Sequence, residues 1–377
     1  MPSNTPLQAS LSPNITAADV EPVWRSLEAS SANSNFFLSW TWIGTWLRTY
    51  QPKVSLLKLS AQGEVVALGL FVHKRQTRHG LLSSRTLRLH QTGCEQEDQI
   101  WIEYNGLLCA PGYESAAALA TLDFFQQQDD WDELITGAMS ELDLERLSTS
   151  SLHCHEITRL ATYKVDLQQL TKSGQSYLDS VSRNLRYQVG LARRLYEKVA
   201  PVELVFARNL EQALEFFGEL APYHIDRWSG QAGGSGFENP KFVSFHEELI
   251  RAGWPQQQIQ ICRLNVGNDT IAFLYNFTYQ EQVYFYLSGI KAEAKPKLKP
   301  GLLCHSMCIQ HNLEAGFKTY DLMGGDMEYK RRLAKRAEDL VVASLQRPRL
   351  KLKTERWARA FKGALLNALH NKKQMEA

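Results

Sequence analysis

The stretch Ile271–Lys330 reads IAFLYNFTYQEQVYFYLSGIKAEAKPKLKPGLLCHSMCIQHNLEAGFKTYDLMGGDMEYK, and its order of patterns decides the fold. Ile271–Tyr279 and Gln282–Gly289 are rich in β-branched and aromatic residues, which predicts two strands joined as a hairpin. A further strand is predicted at Phe317–Met323, before the turn Gly324-Gly325-Asp326. Strand, strand, helix, strand is an α/β pattern with a hairpin where a purely parallel fold has a helix.

The helix of this stretch predicts an anion site. It covers Leu302–Ala315, opens at Pro300-Gly301 and ends at Gly316, which suits the residue after a helix. First-turn amides of a helix have no internal partner and can hold an anion. Lys297 and Lys299 come just before them, so a pyrophosphate is a plausible ligand.

These patterns resemble the GNAT acyltransferase superfamily, in particular its CelD-like and FemABX-like branch, which joins two GNAT-like lobes in one protein. The residues that carry the resemblance are Tyr286-x-x-Gly289, Lys299-Pro300-Gly301-Leu302-Leu303, Gly316, Tyr320-Asp321, Gly325 and Tyr329-Lys330. It extends back to Tyr177–Lys198, Tyr223–Trp228, Phe36–Trp46 and Tyr104–Leu108. The ordinary phosphate loop of the superfamily is Arg/Gln-x-x-Gly-x-Gly/Ala, and this chain has Lys-x-Lys-Pro-Gly instead.

The expected fold class is therefore α/β, with two tandem GNAT-like lobes, each a mixed sheet flanked by helices, around a central cleft. The expected divisions are a flexible leader at 1–16, an N-terminal lobe at 17–165, a C-terminal acyltransferase lobe at 166–345 and a basic amphipathic helix at 346–377. Hairpin signals at Ala61–Gly63 and Gly267–Asp269 occupy comparable places in the two halves, which favours a duplicated fold.

Net charge, cysteine spacing and the length of apolar runs indicate the class of protein. The 377 residues carry 42 basic and 40 acidic side chains, so the net charge of +2 gives no general argument for nucleic acid. Six cysteines without metal-ligand spacing predict free thiols in a reducing compartment. No apolar run reaches the ~18 residues of a membrane span. A cytoplasmic protein without a metal is expected.

The resemblance implies an acyl-CoA co-substrate, either acetyl-CoA or a longer acyl-CoA. Its thioester is expected near Tyr286–Ile290 and its pyrophosphate near the start of the helix. The cofactor-binding residues implied are Ile290, Lys297, Lys299, Gly301, Leu302 and Leu303.

Three residues are candidates for catalysis. Asp326 is a candidate general base, and its alternative is a turn-stabilising role. Tyr329 is expected to protonate the leaving thiolate or to position substrate, and simple packing is the alternative. Tyr286 is expected beside the thioester.

Six further residues are candidates for substrate binding. Tyr223, His224, Arg227 and Trp228 come just before a Gly-rich loop, where aromatic rings and a cation can recognise a sugar or an anion. The family resemblance implies the other two, Lys330 and Arg183. Helix packing, a solvated lysine and a solvated helix face are the alternatives. His224 is also considered as a general base.

The function implied is transfer of an acyl group from acyl-CoA to an amine on a sugar, lipid or cell-envelope polysaccharide precursor. Two alternatives stay open: a FemABX-like transferase that uses aminoacyl-tRNA, and a non-catalytic binding module of a polysaccharide-synthesis assembly. The expected partner is a small molecule or glycan precursor. The basic C-terminal helix predicts weak contact with a membrane surface or docking on the protein.

Overall fold

The structure is a computed structural model of the chain and describes residues 6–31, 34–78, 82–148, 151–231 and 233–357. Its strands form one 13-stranded sheet. They are β1 (Gln8–Pro13), β2 (Val54–Ala61), β3 (Glu64–Arg78), β4 (Leu82–Leu89), β5 (Leu108–Cys109), β6 (Glu133–Ser140), β7 (His153–Asp166), β8 (Val202–Phe206), β9 (Ile259–Val266), β10 (Asp269–Tyr279), β11 (Gln282–Ile290), β12 (Thr319–Gly324) and β13 (Lys335–Gln346).

Helices cover both faces of this sheet. They are α1 (Ala17–Ser30), α2 (Trp40–Tyr50), α3 (Glu95–Asp98), α4 (Glu114–Gln126), α5 (Glu141–Leu147), α6 (Leu167–Ser173), α7 (Tyr177–Ser180), α8 (Arg183–Glu197), α9 (Leu210–Trp228), α10 (Pro240–Gly253), α11 (Pro300–Glu314) and α12 (Glu328–Leu333), with 3₁₀ turns at Phe36–Leu38 and Gly236–Glu238.

The two halves of the chain repeat one order of elements, which confirms the tandem α/β expectation. Each half has a strand, a helix, a 3₁₀ turn, a helix, three antiparallel strands, a helix and a further strand. That further strand pairs in parallel with the third of the three antiparallel strands. The pairs are β6 with β4 and β12 with β11. The hairpins at Ala61–Gly63 and Gly267–Asp269 join equivalent strands, β2 to β3 and β9 to β10.

The lobes share their central strands. β13 comes from the end of the described chain but lies between β6 and β7, and β7 pairs with β12 of the C-terminal lobe. A division between residues 165 and 166 therefore does not separate two independent sheets.

The N-terminal end of the chain corrects one prediction. A flexible leader over 1–16 is wrong for β1, which pairs with β2 from Gln8 to Pro13. Leu7, Ala9 and Leu11 pack on the N-terminal lobe core, because every second residue of the segment is apolar. A composition rich in Ser, Asn and Pro conceals this alternation.

The basic C-terminal segment begins later than predicted, because β13 continues to Gln346. Residues 350–357 are helical, and the cations before and within this helix bind the N-terminal lobe. Lys351 pairs with the buried Asp132 at 2.5 Å, and Arg349 pairs with Asp129 at 3.2 Å. The described part of the segment is thus docked. The remainder of the predicted amphipathic helix, 358–377, lies outside the described residues.

Helices α1, α2, α9 and α10 join the lobes through one aromatic core. Phe36 stacks on Phe277 with ring centroids 4.1 Å apart, and Trp42 packs on Phe245 at 5.1 Å. This packing and the continuous sheet fix both walls of the space between the lobes. None of the described helices is long and apolar enough to cross a membrane.

Candidate active site

An opening in the C-terminal half of the sheet forms the centre of the candidate site. β11 and β12 pair in parallel only from Gln282↔Thr319 to Tyr284↔Asp321. Beyond Tyr284 and Asp321 the two strands separate, and we call this gap the open slot. The β12-facing backbone groups of β11 beyond Tyr284 therefore have no partner from β12.

Backbone geometry produces the separation. Met323 adopts a φ of 61°, which is uncommon for a residue with a side chain, and Gly325 has a φ of 111°. The buried Asp321 carboxylate holds this turn by accepting the Met323 N–H at 2.7 Å and the Tyr104 hydroxyl at 2.6 Å. Strained residues persist where their surroundings over-determine them, which is common at functional sites.

The open slot leads into a cavity of about 580 Å³ between the lobes. We call it the inter-lobe cavity. The C-terminal lobe contributes Phe285–Ser288, Met323–Gly325, Tyr329, Lys330 and the end of α9 to its walls. The N-terminal lobe contributes the loop before β5, including Trp101, Ile102 and Glu103. A concave, mainly apolar space with a few polar groups is the usual form of a small-molecule site.

Glu103 is the acidic group at the mouth of the slot. Its Oε2 accepts the Gly324 N–H at 2.7 Å. Enclosure by the cavity walls raises the pKa of Glu103 from 4.5 to about 7, with a smaller opposing effect from the Lys330 cation. A carboxylate with a pKa near neutrality can accept a proton and release it again at physiological pH.

Lys330 places a buried cation beside this carboxylate. Its ammonium donates to the carbonyls of Met323, at 3.3 Å, and Gly324, and burial lowers its pKa. The alternative of a solvated surface lysine is therefore wrong. A buried cation at this position can stabilise negative charge that develops in the slot.

Tyr286 and Tyr329 both line the inter-lobe cavity, in agreement with their predicted location. The Tyr286 hydroxyl donates to the Ile100 carbonyl, so it holds the N-terminal lobe loop. Tyr329 stacks on His305 with ring centroids 5.5 Å apart, and burial raises its pKa. A phenol with a raised pKa gives up its proton less readily, so Tyr329 is better suited to donate a hydrogen bond than to protonate a thiolate.

Asp326, the candidate general base, is not among the residues that line the inter-lobe cavity. It is exposed, forms an ion pair with Arg331 at 2.6 Å and accepts the Tyr163 hydroxyl. Those two hydrogen bonds lower its pKa. The Gly-rich turn points this side chain to the outer face, and the resulting partners make it a weak base.

The predicted substrate residues divide into two groups. His224, Arg227 and Trp228 line the cavity from the end of α9, whereas Tyr223 and Arg183 are not among its lining residues. The Tyr223 hydroxyl lies 3.3 Å from the Thr270 carbonyl, to which it donates. Arg183 is exposed at the start of α8.

His224 is a structural residue of the cavity wall. It is buried, and its Nδ1 lies 2.7 Å from the Ser235 hydroxyl in the Gly-rich loop. Burial and the neighbouring Arg227 lower its pKa to about 4, so the ring is neutral at physiological pH. It binds protons too weakly to serve as the general base that the sequence suggested.

The start of α11 presents unpaired backbone amides beside lysines. No side chain caps this helix, and its first residue, Pro300, has no N–H. A side chain on Gly301 would make only an ordinary contact with Ile290, at 3.5 Å. Leu302 and Leu303 bury their side chains in the core. The Leu302 N–H lies in the first turn, whereas the Leu303 N–H donates to the Lys299 carbonyl at 3.0 Å, which corrects the prediction that Leu303 binds the cofactor. Lys297 is exposed beside them and Lys299 is half-buried.

The equivalent gap in the N-terminal lobe is filled. β4 and β6 pair in parallel only to Arg88↔Ile135, and we call the space beyond them the closed slot. The Asn105 side chain occupies it and donates to the carbonyls of Leu89 and Thr136, both at 2.8 Å. The Asn105 side chain thus bridges the closed slot, whereas the open slot leads into the inter-lobe cavity.

Comparisons with known proteins agree with this architecture. The family described as acetyltransferase (GNAT) domain matches residues 183–331. The solved structure of FemX superimposes with a TM-score of 0.53 over 89% of this chain and 96% of its own, at 11% identity. Residues 183–331 therefore match a GNAT domain, and the chain shares the fold of FemX. No curated protein sequence matches it.

Two further solved structures share the fold of this chain. L-PGS from Bacillus licheniformis has a TM-score of 0.51 over 88% of this chain and 94% of its own, at 11% identity. A conserved protein of unknown function from Bacteroides thetaiotaomicron has a TM-score of 0.51 over 91% and 99%, at 11% identity. Likeness at this identity shows the fold alone.

Sequence reasoning missed Glu103 and Asn105. Both belong to the run around Tyr104–Leu108 that carries the family resemblance of the N-terminal lobe. That resemblance was the available signal, but it gave no reason to connect the run with a turn 221 positions later. No described group of His, Cys, Asp and Glu forms a metal site.

Proposed function

We propose that this protein transfers an acyl group from acyl-CoA to an amine, with Glu103 as the general base. The observation that carries the proposal is a carboxyl group with a raised pKa at the mouth of the open slot, beside a buried cation. Transfer from a thioester to an amine requires a proton acceptor and a stabiliser of negative charge, and Glu103 and Lys330 supply these roles.

The donor would lie along β11 and the start of α11. The amides of Gly301 and Leu302, with Lys297 and Lys299, would hold the phosphates, and the thioester supplies the acyl group. In the reaction the carbon–nitrogen bond forms and the carbon–sulfur bond breaks. Glu103 accepts the proton that the amine loses, and solvent protonates the thiolate.

The acceptor would occupy the part of the inter-lobe cavity that both lobes enclose. Trp101 is 44% exposed, although large aromatic side chains are usually buried, and Trp228 and Arg227 lie in the opposite wall. Exposed rings and a guanidinium suit an amine-bearing sugar with an anionic group, as in envelope or polysaccharide precursors. CelD-like polysaccharide synthesis and a cytoplasmic location, where acyl-CoA is supplied, belong to this proposal.

Thermal unfolding with acetyl-CoA, longer acyl-CoAs and free CoA tests the donor. A ligand at a hundred times its dissociation constant should stabilise the fold by about 2.7 kcal/mol. We expect an acyl-CoA to raise the midpoint more than CoA does. No shift with any CoA compound would contradict the proposal.

Likeness to the fold of FemX favours a second candidate, the transfer of an amino acid from aminoacyl-tRNA. The same amine chemistry would apply, since an aminoacyl ester also acylates an amine. Aminoacyl-tRNA belongs in the same experiment for that reason. Stabilisation by aminoacyl-tRNA alone would favour this candidate, and stabilisation by a glycan precursor alone would favour a non-catalytic binding module.

A further inference from the structure

The loop at residues 101–107 runs from the open slot of one lobe to the closed slot of the other. Glu103 contacts the turn at Gly324, and Asn105, two positions later, fills the closed slot. Between them the Tyr104 hydroxyl reaches Asp321. Three consecutive side chains of this loop thus contact residues at both slots.

Both the backbone and the side chain of Asn105 are hydrogen-bonded. Its backbone N–H donates to the Ala138 carbonyl at 2.8 Å, in addition to the two bonds from its side-chain amide. Its Oδ1 lies 2.8 Å from Nδ1 of His90. Since Nε2 of His90 accepts the Leu70 N–H, Nδ1 carries the ring proton and donates to Asn105. Asn105 is 1% exposed.

The closed slot is shaped for this side chain. Gly137 has a φ of 71°, and a Cβ added there would lie 2.4 Å from Nδ2 of Asn105. Any other residue at 137 would therefore displace the amide.

The loop backbone is strained on the Glu103 side of this fixed point. Trp101 and Tyr104 have φ values of 44° and 50°, which bulky side chains rarely adopt. Such a conformation costs energy and persists only where neighbouring bonds enforce it. Besides Asn105, the enforcing bonds come from Asn35, which donates to the Tyr104 carbonyl at 2.9 Å, and from the Tyr104 hydroxyl.

We propose that Asn105 is the positioning residue of Glu103: by filling the closed slot it holds the strained loop that places the carboxylate in the open slot. The inference rests on the proposed function, in which Glu103 accepts the proton. It assigns the N-terminal lobe a role, because the residue that fills its closed slot supports the base that serves the other lobe.

The backbone amide of Gly324 reports on this arrangement without an enzymatic assay. The full chain labelled with ¹⁵N-glycine gives signals from 23 glycines, and a Gly324→Ala variant identifies the one required. In the wild type this signal should titrate with a midpoint near 7, and Glu103→Gln should abolish the titration. Asn105→Ala should lower the midpoint by one pH unit or more, because a relaxed loop exposes Glu103 to water.

Two more variants separate positioning from general destabilisation. Gly137→Ala keeps an asparagine at position 105 but displaces its side-chain amide. It should therefore lower the midpoint of the Gly324 titration as Asn105→Ala does. Leu87→Ala removes buried volume from the same lobe but no hydrogen bond of the loop, and it should lower the melting temperature while keeping the midpoint. A folded Asn105→Ala or Gly137→Ala with an unchanged midpoint, or a shifted midpoint in Leu87→Ala, would overturn the positioning role alone. A wild-type signal that does not titrate would overturn Glu103 as the base as well.

Discussion

At the scale of single residues, the environment of Glu103 sets a measurable pH dependence. Its folded pKa of about 7 exceeds its ordinary value of 4.5, so its protonated form stabilises the fold fully below pH 4.5. That contribution is lost as the pH rises through 7 and amounts to about 3 kcal/mol at most. Glu103→Gln should therefore be more stable than the wild type at pH 8.5 and nearly equal to it at pH 4.5, in urea unfolding. Turnover should fall by roughly 10²–10⁴-fold.

Asp326→Asn is the matched control, because the pKa of Asp326 is shifted in the other direction. A lowered pKa contributes stability above the ordinary value, and that contribution is lost as the pH falls through the lowered pKa. The control should be less stable than the wild type at pH 8.5 and retain turnover. A Glu103→Gln variant that loses stability at pH 8.5, or that keeps full turnover, would remove Glu103 from the site.

At the scale of elements, the uncapped start of α11 is the proposed site of donor binding. Reversing two charges by Lys297→Glu and Lys299→Glu should weaken CoA binding at least tenfold, because the phosphates then meet carboxylates beside the helix amides. The readout is the shift in melting temperature caused by acetyl-CoA. A double change at exposed lysines elsewhere, Lys53→Glu with Lys198→Glu, should keep the shift. Equal shifts in both double variants would move the phosphate site away from α11.

At the scale of the whole molecule, local patterns predicted the α/β class and the family resemblance implied two lobes, but neither could predict how the lobes share strands. Runs of β-branched and aromatic residues identify β11 and β12, and Pro300 and Gly316 mark the two ends of α11. Each of these signals comes from neighbours in sequence. The insertion of β13 between β6 and β7 depends on packing between distant segments. For the same reason Lys330 and Arg227 could be predicted from the C-terminal lobe, whereas Glu103 could not, because the other lobe supplies it.

The central claim is that one lobe of this duplicated fold holds acyl-CoA while the other completes the site. Isothermal titration of the full chain with acetyl-CoA tests it most directly, because the number of sites distinguishes one open slot from two. We predict one site per chain, lost in the variant carrying Lys297→Glu and Lys299→Glu and retained in Glu103→Gln. Two sites per chain, or binding that survives the charge reversal, would contradict the claim.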